Sequence, residues 1–196
     1  MARPRDEDVR VPILTAAFSC VGRKGVSGLS VREVARLTGL STGSVTHHFP
    51  TRRDLLHSAI DFGFERLVPE LGALEPGTGL GVLLEHYDLS DAARRSWWRF
   101  VFALMFEAES SPDIATRLEQ GCQVGMDRWR TVLEQERELG RVREDVDVGE
   151  AARTLVAVGN GVILAQLIMS ADAGSAVADL AGAVHSLRPH PEPAAR

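Results

Sequence analysis

Four short side chains carry the most specific chemistry in this chain. Thr42, Ser44, Thr46 and His47 follow Ser41, a residue type that caps helices, and leave Val45 and Phe49 four residues apart on the opposite side. An outward face of hydroxyls and one imidazole, with no acid among them, can donate to and accept from base edges. Phosphate does not repel it, and the arrangement suits a helix laid in the major groove of duplex DNA. Catalysis finds no comparable constellation. A nucleophile needs a base within reach, yet Cys20 lies on an apolar face and Cys122 has no histidine near it in sequence. His47 and His48 are adjacent and thus about 100° apart on a helix, which does not suit one metal ion. His57, His86 and His185 are isolated. Gly77, Gly79 and Gly81 follow no strand and precede no phosphate-binding lysine, so they read as a connection. No catalytic residue, metal site or cofactor is expected.

The elements that must position those four side chains are short helices. Ser30 and Glu33 have capping-box spacing, and Val31, Val34, Ala35 and Leu37 then recur at helical intervals. Gly39 can take positive φ and stop that helix, and Ser41 starts the next. Two short helices about a glycine turn make a helix-turn-helix over residues 29–48. Ser30, Arg32, Ser41 and Gly43 join Thr42, Ser44, Thr46 and His47 as candidate DNA contacts. Upstream, a helix is expected from near Asp8 to Gly25, with Pro12 tolerated in its first turn and Ile13, Leu14, Ala17, Phe18 and Val21 as its apolar stripe. Residues 1–7 read as a frayed arm in which Arg3 and Arg5 could reach DNA. Downstream, Thr51 and Asp54 repeat the capping spacing and open a fourth helix to about Val68. Arg52, in its first turn, is expected to meet a phosphate.

These residues resemble a family. ILTAAFSCVGRKG (Ile13 to Gly25), the helix-turn-helix and HHFPTRRDLL (His47 to Leu56) look like the DNA-binding domain of TetR-type transcriptional regulators, over about a quarter of the chain. The chain departs from the family's pattern at Thr46, where a backbone-touching tyrosine is usual. It departs again at Arg52 and Arg53, where Lys then Glu are usual; Arg53 reverses the charge. The resemblance implies a fourth helix that connects the DNA-binding domain to a helical body.

Charge is divided in a way that suits DNA at one end. The net charge is −5, with 22 Lys and Arg against 27 Asp and Glu. Residues 1–60 hold nine basic and five acidic side chains, and residues 61–196 hold thirteen and twenty-two. A basic head on an acidic body confines attraction to the head. A hydrophobic content of 44% with 25% charged residues fits a globular chain with a sizeable core. No apolar run of membrane-spanning length and no signal peptide is read, and two distant cysteines suggest reduced packing residues in a cytoplasmic protein.

The rest of the chain reads as helices: Leu80–Ser90, Ala92–Ser110, Ile114–Leu139, one from Asp147 or Val148 through Met169, and Ala173–Leu187. Trp97, Phe102, Met105, Phe106, Cys122, Met126 and Trp129 are rich in aromatic and sulfur side chains. As a group they could line an apolar ligand pocket, with His86, Tyr87, Gln123 and Asn160 orienting the ligand. Leu155, Val158, Gly161, Val162 and Ala165, with Val177, Leu180 and Val184, form two apolar stripes on the last helices. The resemblance implies that these make a four-helix dimer interface.

The expected architecture is all-α. Residues 1–55 form a DNA-binding domain, 56–187 a helical ligand-binding and dimerisation domain, and 188–196 a proline-rich disordered tail. The expected function is that of a homodimeric regulator, a repressor on near-palindromic duplex DNA released by a small apolar or aromatic ligand. An activator or ligand-independent regulator shares the same DNA-binding features. An enzyme with an apolar pocket and a protein-directed helix-turn-helix remain as alternatives.

Overall fold

The computed structural model describes residues 6–67, 77–168 and 173–189, with side chains for 8–65, 77–168 and 178–189. The N-terminal arm with Arg3 and Arg5, most of the 69–81 connection, the side chain of Val177 and most of the tail lie outside the described residues. Among those described there is no strand. Nine α-helices follow in order: α1 (Asp6–Lys24), α2 (Val31–Thr38), α3 (Thr42–His48), α4 (Arg52–Leu67), α5 (Gly79–Glu85), α6 (Ala92–Ala108), α7 (Pro112–Glu138), α8 (Val148–Ile168) and α9 (Ala173–His185), with a 3₁₀ turn at Val26–Gly28. The helix α1 starts two residues earlier than expected, so Pro12 falls beyond its first turn. Pro12 is exposed, and the ladder bond its missing N–H removes lies at the surface.

The chain divides into two compact units, 1–68 with 92–122, and 69–91 with 123–196. In the first, α1 is the central element and packs on α2, α4 and α6. Ile13, Ala17, Cys20 and Val21 are fully buried, as are Val34, Val45, Leu55 and Ile60 on the helices around them. The α6 contact is made of rings. Phe18 stacks on Phe100 at 4.4 Å and on Trp97 at 5.6 Å, and Phe64 meets Trp97 edge-on at 4.9 Å. Gly63 is required by this packing, because a Cβ there would lie 2.5 Å from the Trp97 ring.

In the second unit α8 packs on α9. The turn after α5 is tied to α8 by Gln166, whose side-chain oxygen accepts from the Leu89 N–H at 3.2 Å and whose amide donates to the Tyr87 carbonyl at 2.9 Å. Trp129 donates its indole N–H to the Tyr87 hydroxyl at 3.3 Å, and the Tyr87 ring lies on Gly159, where any Cβ would collide with it. The α8 segment is long and apolar enough to cross a membrane by length and composition alone, contrary to the sequence expectation. Leu155, Gly159, Val162, Ile163 and Gln166 are nevertheless buried within the fold, along one side of the helix.

Candidate nucleic-acid interface

The helix-turn-helix is built by local hydrogen bonds that the sequence specifies. Ser30 Oγ accepts from the Glu33 N–H at 3.2 Å and starts α2, and Ser41 Oγ accepts from the Ser44 N–H at 3.0 Å and starts α3. Gly39, at φ 71°, ends α2 in the left-handed region, and both its N–H and that of Leu40 return to the Ala35 carbonyl. Val34, Ala35, Val45 and Phe49 anchor the two helices inward. Thr42, Gly43, Thr46 and His47 are consequently exposed, as are Ser30, Arg32 and Ser41, while Ser44 is half-buried. The Thr46 hydroxyl reaches the carbonyls of Thr42 at 3.0 Å and Gly43 at 3.2 Å, so its proton is turned to the backbone rather than outward.

Only half of the first capping box forms. Glu33 does not return to the Ser30 backbone; its carboxylate takes Arg36 Nε and Nη2 and Lys24 Nζ, each at 2.9 Å. These hydrogen bonds, from Arg36 first and Lys24 second, lower the Glu33 pKa to about 2. The pair also raises that of Arg36. Lys24 closes α1, so this cluster links the end of α1 to α2. The second box is complete: Asp54 Oδ2 accepts from the Thr51 N–H and hydroxyl at 3.1 and 2.7 Å, and Thr51 Oγ1 accepts from the Asp54 N–H at 3.0 Å.

Arg52, expected to meet a phosphate, has its guanidinium engaged within the fold. Its guanidinium donates to the carbonyl of Leu29 at 2.8 Å and to that of Val26, 23 and 26 residues back. Those carbonyls belong to the 3₁₀ turn before α2; that of Val26 also accepts from the Leu29 N–H at 3.1 Å, and the arginine adds to these bonds while fixing α4 to the motif. At the other end Arg10, which the sequence gave no reason to single out, lies over the Phe49 ring at 4.6 Å with a long contact to the His48 carbonyl at 3.5 Å. Two arginines thus hold the motif from behind. The reversed charge at Arg53 also has a partner, Asp113 Oδ2 at 3.1 Å. The same oxygen lies 2.9 Å from His57 Nε2, and Arg117 grips Asp61 at 2.6 and 2.7 Å. Residues 53, 57 and 61 of α4 are thereby tied to the first turns of α7. The hydrogen bond from His57, followed by the charge of Arg53, holds the Asp113 carboxyl below its usual range.

The residues expected to line a ligand pocket are divided between the two units. Trp97 is 2% exposed and enclosed by Phe18, Phe64 and Phe100, which makes it core of the unit bearing the helix-turn-helix rather than a pocket wall. Phe106 is 78% exposed. Phe102 sits against Trp98 with ring centres 6.3 Å apart, and Met105 and Cys122 are half-buried in the same unit. In the other unit Tyr87, Trp129 and His86 come together, with Met126 and Asn160 half-buried and Gln123 exposed beside Asp127. Cavities of about 740 Å³, along α1 and α4, and about 570 Å³, by α5 and the end of α7, are lined by other side chains. Both cysteines are free, and burial pushes their thiols up, which suppresses the reactive thiolate.

The stripe read as a dimer surface is also divided. Leu155, Val162, Leu180 and Val184 are 7% exposed or less and face the interior of their own unit. Gly161 is exposed, and Val158 and Ala165 are half-buried. The outward line of α8 is instead Ala157, Gly161, Leu164 and Ile168, with Ile168 70% exposed.

Residues 13–59 match the bacterial regulatory proteins of the tetR family. The chain is 29% identical over 167 residues to the HTH-type transcriptional repressor AcnR of Corynebacterium jeikeium, covering 83% of this chain and 85% of that one. Its fold is shared by a TetR-family regulator from Agrobacterium tumefaciens (TM-score 0.79, 18% identity, 94% and 100% of the two chains). It is shared too by a transcriptional regulator from Saccharomonospora viridis in complex with choline (TM-score 0.77, 20% identity, 94% and 100%). With its capped α2 and α3 and its exposed α3 face, the segment 13–59 is a DNA-binding domain of the tetR family of bacterial regulatory proteins.

Proposed function

We propose that this regulator is a cytoplasmic homodimeric repressor that reads a near-palindromic duplex operator through α3 and leaves it when a small apolar ligand binds the body. Residues 1–55 carry DNA reading, 56–187 ligand and dimer functions, and 188–196 form a tail. The observation that carries the reading is the α3 face: Thr42, Thr46 and His47 stand exposed on a helix whose inward side is locked by Val45 and Phe49. A protomer offers one such helix, and a two-fold pair would match a two-fold operator. The outward line of α8 favours self-association, since Gly161 leaves room for close approach and Leu164 and Ile168 are exposed apolar groups beside it. The choline held by a protein of the same fold supports a small organic ligand. The ligand shifts the equilibrium only by its differential affinity for the DNA-bound and DNA-free arrangements.

Operators selected from random duplexes and titrated by fluorescence anisotropy test the reading. His47→Ala and Ser44→Ala weaken the selected site by about 1–3 kcal/mol wherever the side chain reads a base, and weaken random DNA less. Ile168→Asp leaves the protein monomeric in light scattering and lowers operator affinity with it. Unchanged operator preference in all of Thr42→Ala, Ser44→Ala, Thr46→Ala and His47→Ala overturns the assignment of α3.

A further inference from the structure

On the outward face of α3, one exposed side chain has its polar end taken up by the helix itself. The Thr46 hydroxyl reaches the Thr42 carbonyl at 3.0 Å and the Gly43 carbonyl at 3.2 Å. A hydroxyl has one proton, and here it is spent on the preceding turn, although Thr46 is exposed. The threonine Cβ carries one further heavy group, and a β-branched side chain is stiff about χ1. With Oγ1 held against the helix, the Cγ2 methyl is what Thr46 has left to present outward. Gly43, three residues earlier, lies on the same face and puts no side chain beside that methyl. The fold does not require a glycine there. Its φ is not positive, and among the described residues an added Cβ would meet Ser41 Oγ alone, at an ordinary 3.7 Å. A glycine inside a helix costs stability relative to alanine, and what it gives in return is room for close approach to the backbone.

We propose that Thr46 sets specificity within the DNA reading assigned to α3: its methyl packs on the C5-methyl of a thymine and selects a T·A pair. The proposal rests on that reading of α3. In the major groove thymine is the base that offers a methyl, whereas the other base edges present donors and acceptors. A serine or threonine hydroxyl with its proton free serves several of those edges and discriminates poorly. Thr46 has turned its hydroxyl away, so its contact with a base edge is apolar. The same geometry argues against a phosphate contact, since a methyl makes no hydrogen bond to a phosphate oxygen. Gly43 lets the base edge come into van der Waals contact, where a longer side chain would hold it off.

Deoxyuridine substitution tests it, because deoxyuridine lacks the C5-methyl and keeps every hydrogen-bonding group of thymidine. Duplexes are selected from random sequence with the full chain, and each thymine of the selected site is replaced in turn. Fluorescence anisotropy then compares the parent with Thr46→Ser, which loses the methyl and keeps the hydroxyl, and Thr46→Val, which keeps the methyl. At one thymine, deoxyuridine weakens the parent and Thr46→Val about fourfold for each α3 in contact, the size of burying one methyl. Thr46→Ser binds the thymine duplex more weakly than the parent and does not distinguish it from the deoxyuridine duplex. A role confined to holding the helix would weaken both duplexes alike and leave the deoxyuridine effect in place. A parent indifferent to deoxyuridine at every position overturns the proposal. So does a deoxyuridine effect that persists in Thr46→Ser, which would give the thymine methyl to another side chain, or one that vanishes in Thr46→Val, which would make the hydroxyl the reader. These failures leave α3 in the groove as long as Ser44→Ala or His47→Ala still alters operator preference. Unchanged preference in those variants as well removes the reading of α3 and this proposal with it.

Discussion

In the unit that carries the helix-turn-helix the interior is closed ring on ring; in the other unit, polar side chains tie the chain together. Phe18, Phe64, Trp97 and Phe100 enclose one another and leave Gly63 no room for a Cβ. Gln166 and Tyr87 instead hold a turn to α8 through directed bonds, and the buried Glu136 is ion-paired with Arg141 at 3.5 Å. Ring packing is insensitive to polarity and pH and gives a rigid platform for α3. Buried polar groups are costly when partnerless and selective when a partner arrives. The difference separates a region held by shape from a region held by individual bonds.

The strongest way to break that comparison is Trp97→Ala. Truncating a 2%-exposed indole among three phenylalanines should destabilise the chain by about 3–5 kcal/mol in urea unfolding. Added indole should recover part of the loss by filling the space. A loss near zero would mean the ring cluster is not the support of the head.

That cluster also shows where the sequence was legible and where it was not. Ser30, Gly39, Ser41 and Thr51 announced the helix boundaries because caps and positive-φ glycines act within four residues of themselves. The partners of Trp97 were not announced, since a helix apolar on nearly every side does not say which neighbour it meets. The same ambiguity turned Leu155, Leu180 and Val184 outward in the sequence reading when they face inward. The clamp made by Arg52 was hidden for a related reason: a charged side chain beside a helix start suits a phosphate, and nothing local reveals carbonyls 23 and 26 residues away. Residues 53 and 113 likewise meet only once α4 and α7 are in place.

Gln166→Leu tests the polar side of the comparison. It preserves approximate volume but removes the bonds that Gln166 makes to the Leu89 N–H and the Tyr87 carbonyl, at a cost of about 2 kcal/mol. Amide exchange at Leu89 should accelerate more than at Val45. Equal acceleration at both would show that the turn is not held by this side chain.

Arg52→Ala has a smaller effect, about 1 kcal/mol of stability, because water can replace part of what an exposed side chain supplies. Its diagnostic is the salt dependence of DNA binding. A residue that clamps carbonyls leaves the slope of log affinity against log salt unchanged when removed, whereas a phosphate contact would lower it by about one unit. A shallower slope with unaltered stability would restore Arg52 to the DNA surface.

The smallest expected effect lies at Glu33, on the outer edge of the ring-packed unit. Its pKa in the folded chain is lowered to about 2 by hydrogen bonds from Arg36 and Lys24. A carboxyl whose folded value lies below its unfolded one stabilises the fold when ionised. Its contribution is therefore complete above the ordinary value of about 4.3 and is lost as pH falls from there toward 2. Glu33 is half-buried but its partners Lys24 and Arg36 are exposed, so screening keeps the effect small and salt-sensitive. Glu33→Gln should flatten the stability profile between pH 4.5 and 2 and lower the neutral-pH value by the same small amount, because a neutral amide forms no ion pair with Arg36 and Lys24. The comparison is between the acid limbs of the two proteins at low and high salt. If the limbs coincide at low salt, the Lys24–Glu33–Arg36 cluster does not contribute to joining α1 to α2, and the rings and buried aliphatics alone hold the head together.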